Sequence, residues 1–209
     1  SDIGVWHGGD FKGITQRLDY IKSMGFTSIW ITPPVRQKYV QGDSAAYHGY
    51  WGLDFTTVDP HLGSEEELHQ LIKEAHARGI KVIFDVVLNH TADVIFYENG
   101  KPKTTAAEAN SKKPEWLNKI LNYNNLGNSP AVDSAIEVSD FFGLDDINTK
   151  KPEVIQGWIK IWSDWIKEYE FDGMRIDTFK HVDAAFWKQF VPQIQSAAKK
   201  AGKKEFIIF

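Results

Sequence analysis

The chain has 209 residues, 42% hydrophobic and 13% aromatic, which supplies apolar material for one substantial core and excludes a disordered chain. A formal net charge of −4 with no run of like charge argues against a nucleic-acid partner, and no apolar stretch reaches the about 18 residues of a membrane span. Without cysteine there can be no disulfide and no thiolate metal site, and the compartment stays open.

Along the chain, Ile14, Leu18, Ile21 and Met24 recur at helical spacing and Gly25 follows as a stop, which predicts a helix over 13–24 and a buried strand over 28–32. Residues 33–63, rich in Tyr, Gly and Asp, read as a long connection. Ser64 with Glu67 three positions on is a capping box opening a helix that runs to Arg78; Gly79 stops it, and KVIFDVV (81–87) is the next strand. Residues 91–151 form a longer connection of mixed composition, with Lys112, Lys113 and Pro114 beside an apolar patch at 116–121, and are expected to protrude as a small subdomain. Pro152 suits a first helical turn, and Val154, Ile155, Trp158, Ile159, Trp162, Trp165 and Ile166 line one face of the helix after it. A strand over 173–177, a helix over 183–201 and FIIF (206–209) complete the rhythm.

Helices alternating with strands too apolar to have a wet face predict a parallel sheet covered by helices. Both long connections follow strand C-terminal ends, where functional loops of such folds sit. The last residues lie inside a strand signal, an arrangement expected of a piece of a larger fold.

The most informative segment is DGMRIDTFKH (172–181). Period-two alternation puts Gly173, Arg175 and Asp177 on one face and Met174 and Ile176 on the other, so the guanidinium and the carboxylate are neighbours. Such a cation favours the ionised acid that a nucleophile needs, although a purely architectural ion pair has the same signature. In DVVLNH (85–90), Asp85 and Asn89 are poor strand formers within an apolar run, and His90 opens the loop beyond, a local inconsistency of the kind that marks a site, with a satisfied polar network as the alternative. AYHGYWGLDF (46–55) sets Tyr47, His48, Tyr50 and Trp51 beside glycine above the same rim. Aromatic faces flanked by polar groups suit sugar rings, though isolated aromatics also serve packing.

Taken together, YHGYW (47–51), DVVLNH (85–90), GLDDIN (143–148) and GMRIDTFKH (173–181), in this order and at strand ends, resemble the α-amylase family of glycoside hydrolases, and WHGGDFKGI (6–14) looks like its lead into the first barrel helix. The resemblance covers nearly the whole chain. It implies a (β/α)8 TIM barrel, here a partial α/β barrel of strands two to five with a small domain inserted after strand three. The implied division is 1–90 and 149–209 for the barrel and 91–148 for the insertion.

The resemblance further implies that Asp177 is the catalytic nucleophile and Arg175 its orienting partner. Lys180 and His181 would reach the sugar on the leaving-group side, His90 would hydrogen-bond it, and Tyr50 would stack on it with His48 and Trp51 nearby. Asn89 and Asp146 match side-chain ligands of a structural Ca2+, with the His181 carbonyl as a third, and oxygen donors suit a hard cation. The implied activity is retaining endo-hydrolysis of α-1,4-glucans such as starch by a monomer, extracellular or periplasmic, with neither nucleic acid nor membrane as partner. A transglycosidase, cyclising enzyme or trehalose-forming isomerase would share these motifs, and a non-catalytic barrel-like subunit would share some of them. Retaining catalysis needs a second carboxyl roughly 5 to 5.5 Å from the first; the family's acid is a glutamate past the fifth strand, where FIIF ends, and Glu205 sits at the wrong end of that strand.

Overall fold

The computed structural model describes residues 4–128 and 137–209. Helix α1 (Phe11–Ser23) starts two residues earlier than its apolar spacing indicates, because Asp10 caps it and accepts the Gly13 N–H at 2.5 Å. Strand β1 (Ser28–Ile31) follows. The connection over 33–63 is more regular than its composition suggests. In it, β2 (Val35–Gln37) pairs antiparallel with β5 (Gly52–Val58), and β3 (Val40–Gln41) pairs with β4 (Ser44–Ala45) between them.

Helix α2 (Glu65–Ala77) opens on the expected box: Ser64 Oγ accepts the Glu67 N–H at 3.2 Å, and the Glu67 carboxylate accepts the Ser64 N–H at 3.0 Å. Strand β6 (Lys81–Val87) follows. The next connection carries β7 (His90–Thr91), a hairpin of β8 (Phe96–Glu98) and β9 (Lys101–Lys103), two short 3-10 turns, and β10 (Asp145–Asp146), which pairs antiparallel with β7. Helix α3 (Pro152–Tyr169), strand β11 (Gly173–Asp177), helix α4 (Ala184–Lys200) and strand β12 (Ile207–Ile208) close the described chain.

The strands β1, β6, β11 and β12 form one parallel sheet in that order, each step crossing over through a helix. Alternation assigns its two faces. Val82, Phe84 and Val86 of β6 and Met174 and Ile176 of β11 join the buried helix faces, Leu68, Leu71 and Ala75 of α2 and Trp158, Trp162 and Ile166 of α3, in one core. Asp85, Arg175 and Asp177 lie on the opposite face. The register pairs Arg175 with Asp85 and Asp177 with Val87, so β6 and β11 bring charged side chains together at their C-terminal ends. Among the described residues no helix is long and apolar enough to cross a membrane.

The two connections are stitched to the sheet and to each other. Trp165 Nε1 donates to the Phe55 carbonyl at 2.7 Å, tying α3 to β5. Lys38 Nζ crosses from the first connection to the second, donating to the Asp93 carbonyl and to Glu108, both at 2.6 Å, while the Asp93 N–H donates to Gln41 at 2.8 Å. Inside the second connection the buried Lys112 ammonium bonds Asp145 at 2.5 Å and Tyr123 at 3.0 Å. Asp145 also accepts the N–H groups of Val94 and Ile95, so each member of this desolvated pair has hydrogen bonds beyond the pair itself.

At the opposite end of the sheet Asp172 joins three elements. It accepts the Val82 N–H at 2.8 Å, His76 of α2 at 2.7 Å and Lys203, beyond α4, at 3.0 Å. Burial opposes its ionisation, but these three bonds outweigh that effect and hold its pKa below the ordinary carboxylate value. A depressed folded-state pKa contributes stability that is present above the unfolded pKa of about 3.9 and is lost as pH falls through the folded value. Asp172→Asn is therefore expected to destabilise the protein by roughly 2 kcal/mol at pH 7. Urea unfolding should show the difference narrowing below about pH 4.

Candidate active site

The C-terminal rim of the sheet is organised by a carboxylate that is 1% exposed, Asp85. Arg175 Nη1 donates to its two oxygens at 3.1 and 3.2 Å and to Asp177 Oδ1 at 2.7 Å, so one guanidinium spans both acids. Tyr50 donates its hydroxyl to Asp85 at 2.9 Å and Trp30 donates its indole N–H at 3.1 Å. The guanidinium carbon lies 5.2 Å from the Trp30 ring centroid, a cation–π contact. Burial raises the Asp85 pKa, and the Arg175 charge and the Tyr50 hydrogen bond oppose it. Burial, reinforced by the Asp85 charge, pushes the Tyr50 phenol up to about 12, so it remains a donor at neutral pH.

Tyr50 is held at two further points. Its N–H donates to His48 Nδ1 at 3.0 Å, and its ring lies parallel to the His48 imidazole within 16°, 5.8 Å away. Nδ1 being an acceptor, the neutral His48 ring carries its proton on Nε2; burial lowers its pKa. Trp51 packs edge-on to His48 at 4.6 Å, and its N–H donates to Gln37 at 2.6 Å.

His90 is buried at the start of β7, where burial pushes its imidazole down to about 4 against the pull of the Asp177 charge. It is neutral at ordinary pH, and its Nε2 has no hydrogen-bond partner in the protein. Phe141 lies 6.0 Å from the His90 ring and edge-on to His181 at 5.1 Å. Lys180 is exposed and His181 buried, in the 3-10 turn Phe179–His181 directly after β11.

Of the residues singled out in the sequence, Arg175 and Asp177 lie at the C-terminal end of β11, and Tyr50, His48, Trp51, His90, Lys180 and His181 lie on the rim segments that follow β1, β6 and β11. Two partners were not assigned to the site. Asp85 stood out as a poor strand former, but its bond to Arg175 depends on the β6–β11 register. Trp30 looked like one more apolar strand residue, yet it is 55% exposed on the charged face.

Asn89 and Asp146 are brought side by side by the β7–β10 pairing, the Ile147 N–H donating to the Asn89 carbonyl at 2.9 Å. Asn89 Oδ1 and Asp146 Oδ1 are both buried without a hydrogen-bond partner, while Asp146 Oδ2 accepts Asn124 Nδ2 at 2.6 Å. Burial pushes Asp146 up to about 8, the Asn124 bond pulling it back. Orphaned buried oxygens are costly in isolation and suit a hard cation. Among the described residues no three His, Cys, Asp or Glu side chains converge as a metal cluster, so a cation here would rely on amide and carbonyl oxygens as well.

A parallel, helix-covered sheet with its charged and aromatic side chains gathered at the strand C-termini belongs to the (β/α)8-barrel class, of which this chain is a part. The chain matches the family described as alpha amylase, catalytic domain, over residues 2–200. It is 40% identical to an alpha-amylase of Streptomyces lividans, covering 100% of this chain and 28% of that protein. The crystal structure of alpha-amylase from Geobacillus thermoleovorans, complexed with acarbose, superposes with a TM-score of 0.76 at 34% identity over 100% of this chain and 41% of that one. That of the gamma-CGTase from alkalophilic Bacillus clarkii gives 0.78 at 27% identity over 94% and 29%. The chain belongs to the alpha-amylase family of glycoside hydrolases, and it spans less than half the length of each of these relatives.

The unequal burial of the two acids yields a test of which one is architectural. Arg175→Ala leaves Asp85 buried without its cation and is expected to cost roughly 3 kcal/mol. Asp177, whose side chain is 17% exposed, is expected to cost under about 1 kcal/mol on replacement by Asn. Denaturant unfolding of the two variants should show this order; equal losses would make both contacts structural.

Proposed function

We propose that the protein carrying this chain is a retaining, endo-acting hydrolase of α-1,4-glucosidic bonds in starch and related glucans, with Asp177 as nucleophile. The observation that carries this reading is the 2.7 Å contact between Arg175 and Asp177 at the barrel rim, beside a neutral His90 whose Nε2 is free. The Asp177 carboxylate oxygen, oriented by the guanidinium, attacks the anomeric carbon while the leaving glycosidic oxygen takes a proton. Water then breaks the glycosyl–Asp177 ester, and the two inversions restore the original configuration.

In this reading Tyr50 stacks on the sugar in the cleavage subsite, with His48 behind it and Trp51 alongside. His90 donates a neutral hydrogen bond to the same sugar, and Lys180 and His181 serve the leaving-group side. Glu205 is not the proton donor, because it pairs with Lys81 at 3.0 Å, at the start of β6 and the far end of the sheet from Asp177. The donor is assigned to a glutamate outside these 209 residues. General acid catalysis contributes typically about 10² to 10⁴-fold, so the 209 residues alone are expected to turn over little or no glucan.

Asn89 Oδ1, Asp146 Oδ1 and the His181 carbonyl are proposed as calcium ligands, and the bound cation would supply the positive charge that clamps the strand end to the 91–148 insertion. A polymeric substrate is consistent with an extracellular or periplasmic monomer. The likeness to a gamma-CGTase supports a second reading, in which a sugar hydroxyl replaces water in the second step. Chromatography of products from starch separates linear maltooligosaccharides, expected here, from cyclic or disaccharide products.

In the full-length protein Asp177→Ala is expected to lower turnover by at least about 10⁴-fold. Maltooligosaccharide binding, measured calorimetrically, should stay within about threefold, and NMR of the first products should show the α anomer. Excess chelator is expected to lower the melting temperature and added Ca2+ to restore it; calcium at one hundred times its Kd would contribute about 2.7 kcal/mol. An unchanged melting curve removes the calcium assignment.

A further inference from the structure

Thr178, directly after Asp177, is in the left-handed conformation, φ 49° and ψ 34°. Among the described residues the other non-glycine positions with positive φ are Asn99, Asn125, Phe142 and Glu170, none of them β-branched. Glycine and asparagine enter this region readily; a β-branched residue does so only against steric resistance. The threonine hydroxyl gives nothing back, since Thr178 Oγ1 is buried without a hydrogen-bond partner.

Two costs therefore coincide at one residue, and glycine would remove both. What threonine has and glycine lacks is a Cβ, which confines the backbone to a narrow well, whereas glycine at positive φ ranges widely. The turn that this conformation starts is closed by the His181 N–H donating to the Thr178 carbonyl at 2.9 Å and is anchored by Phe179 stacked on Trp187 at 4.6 Å. Thr178 is thus the joint between the sheet-bound Asp177 and the turn that carries Lys180 and His181.

We propose that the Thr178 side chain acts as a conformational stop, a positioning residue that keeps Asp177 and the Lys180–His181 turn in one fixed relation. The inference rests on the reading of Asp177 as the nucleophile. Strain of this kind persists where the surrounding structure over-determines it, and near a reacting group it serves pre-organisation. The constraint acts through the Cβ, and the hydroxyl is idle.

The test compares Thr178→Gly and Thr178→Ala in the full-length protein, with Asp177→Ala as control, on a maltooligosaccharide substrate. Thr178→Gly relieves the steric resistance and is expected to melt no lower than wild type. Its kcat should fall at least about tenfold with KM within about twofold, as expected when a reacting group is loosened and binding is not. Thr178→Ala keeps the Cβ and should hold kcat within about threefold. Wild-type kcat in Thr178→Gly overturns the proposal, as does an equal loss in Thr178→Ala, which would put the hydroxyl to work. If Thr178→Gly does not fold, Thr178→Asn, which accepts the left-handed region, decides: kcat near wild type supports the stop and a tenfold loss overturns it. Full activity in Asp177→Ala would instead remove the nucleophile assignment itself, so the two failures are distinguishable.

Discussion

The structure of this rim depends on the burial of one negative charge. Asp85 sits mid-sheet on β6, where water cannot solvate it, and such a charge persists only if fixed donors replace the lost hydration. Arg175, Tyr50 and Trp30 supply them, from three separate segments. Each donor is pinned in turn. Arg175 is spread between two acids, Tyr50 is held by the His48 ring, and Trp30 lies under the guanidinium. The need to satisfy Asp85 thereby fixes the direction in which Arg175 presents its remaining hydrogen bond to Asp177.

Much of this was legible in the sequence, because period-two alternation and helical spacing are local properties. The Ser64–Glu67 box, the β6 and β11 strands and the shared face of Arg175 and Asp177 all follow from neighbours within a few residues. What escaped has a common cause. The Arg175–Asp85 bond is set by the register of strands whose partners lie 90 residues apart, and no local pattern encodes a register. The strands within 33–63 escaped because two- and three-residue ladders are stabilised by the partner strand more than by their own composition. Thr178 gives no sequence signal at all, since threonine ordinarily favours extended backbone.

The helix side of the sheet and the rim side obey different rules. On the helix side Phe84, Met174, Trp158 and Trp162 are fully buried and make a core of ordinary apolar packing. On the rim, polar groups are buried in networks, Lys112 with Asp145 and Asp85 with Arg175, while a few atoms, His90 Nε2, Asn89 Oδ1 and Asp146 Oδ1, are left unpaired. Unpaired buried atoms are not confined to the rim, since Trp158 Nε1 and Trp162 Nε1 in the core also lack a partner; what distinguishes the rim is that Asn89 Oδ1 and Asp146 Oδ1 are acceptors set side by side.

The Lys38 bridge has a consequence for how such a cleft could diversify. One ammonium joins the 33–63 connection to the Asp93 carbonyl and to Glu108, beside the bond from the Asp93 N–H to Gln41 and the backbone bonds that link Gly52, Leu53 and Phe55 to Ala92 and Lys113. Lengthening or swapping either connection alone would strand its half of these joints, leaving the Glu108 carboxylate facing no cation and backbone groups without their partners. The two connections thus constrain each other, and changes in the shape of the rim are easiest away from these joints, at the hairpin of β8 and β9 and at the exposed Phe142.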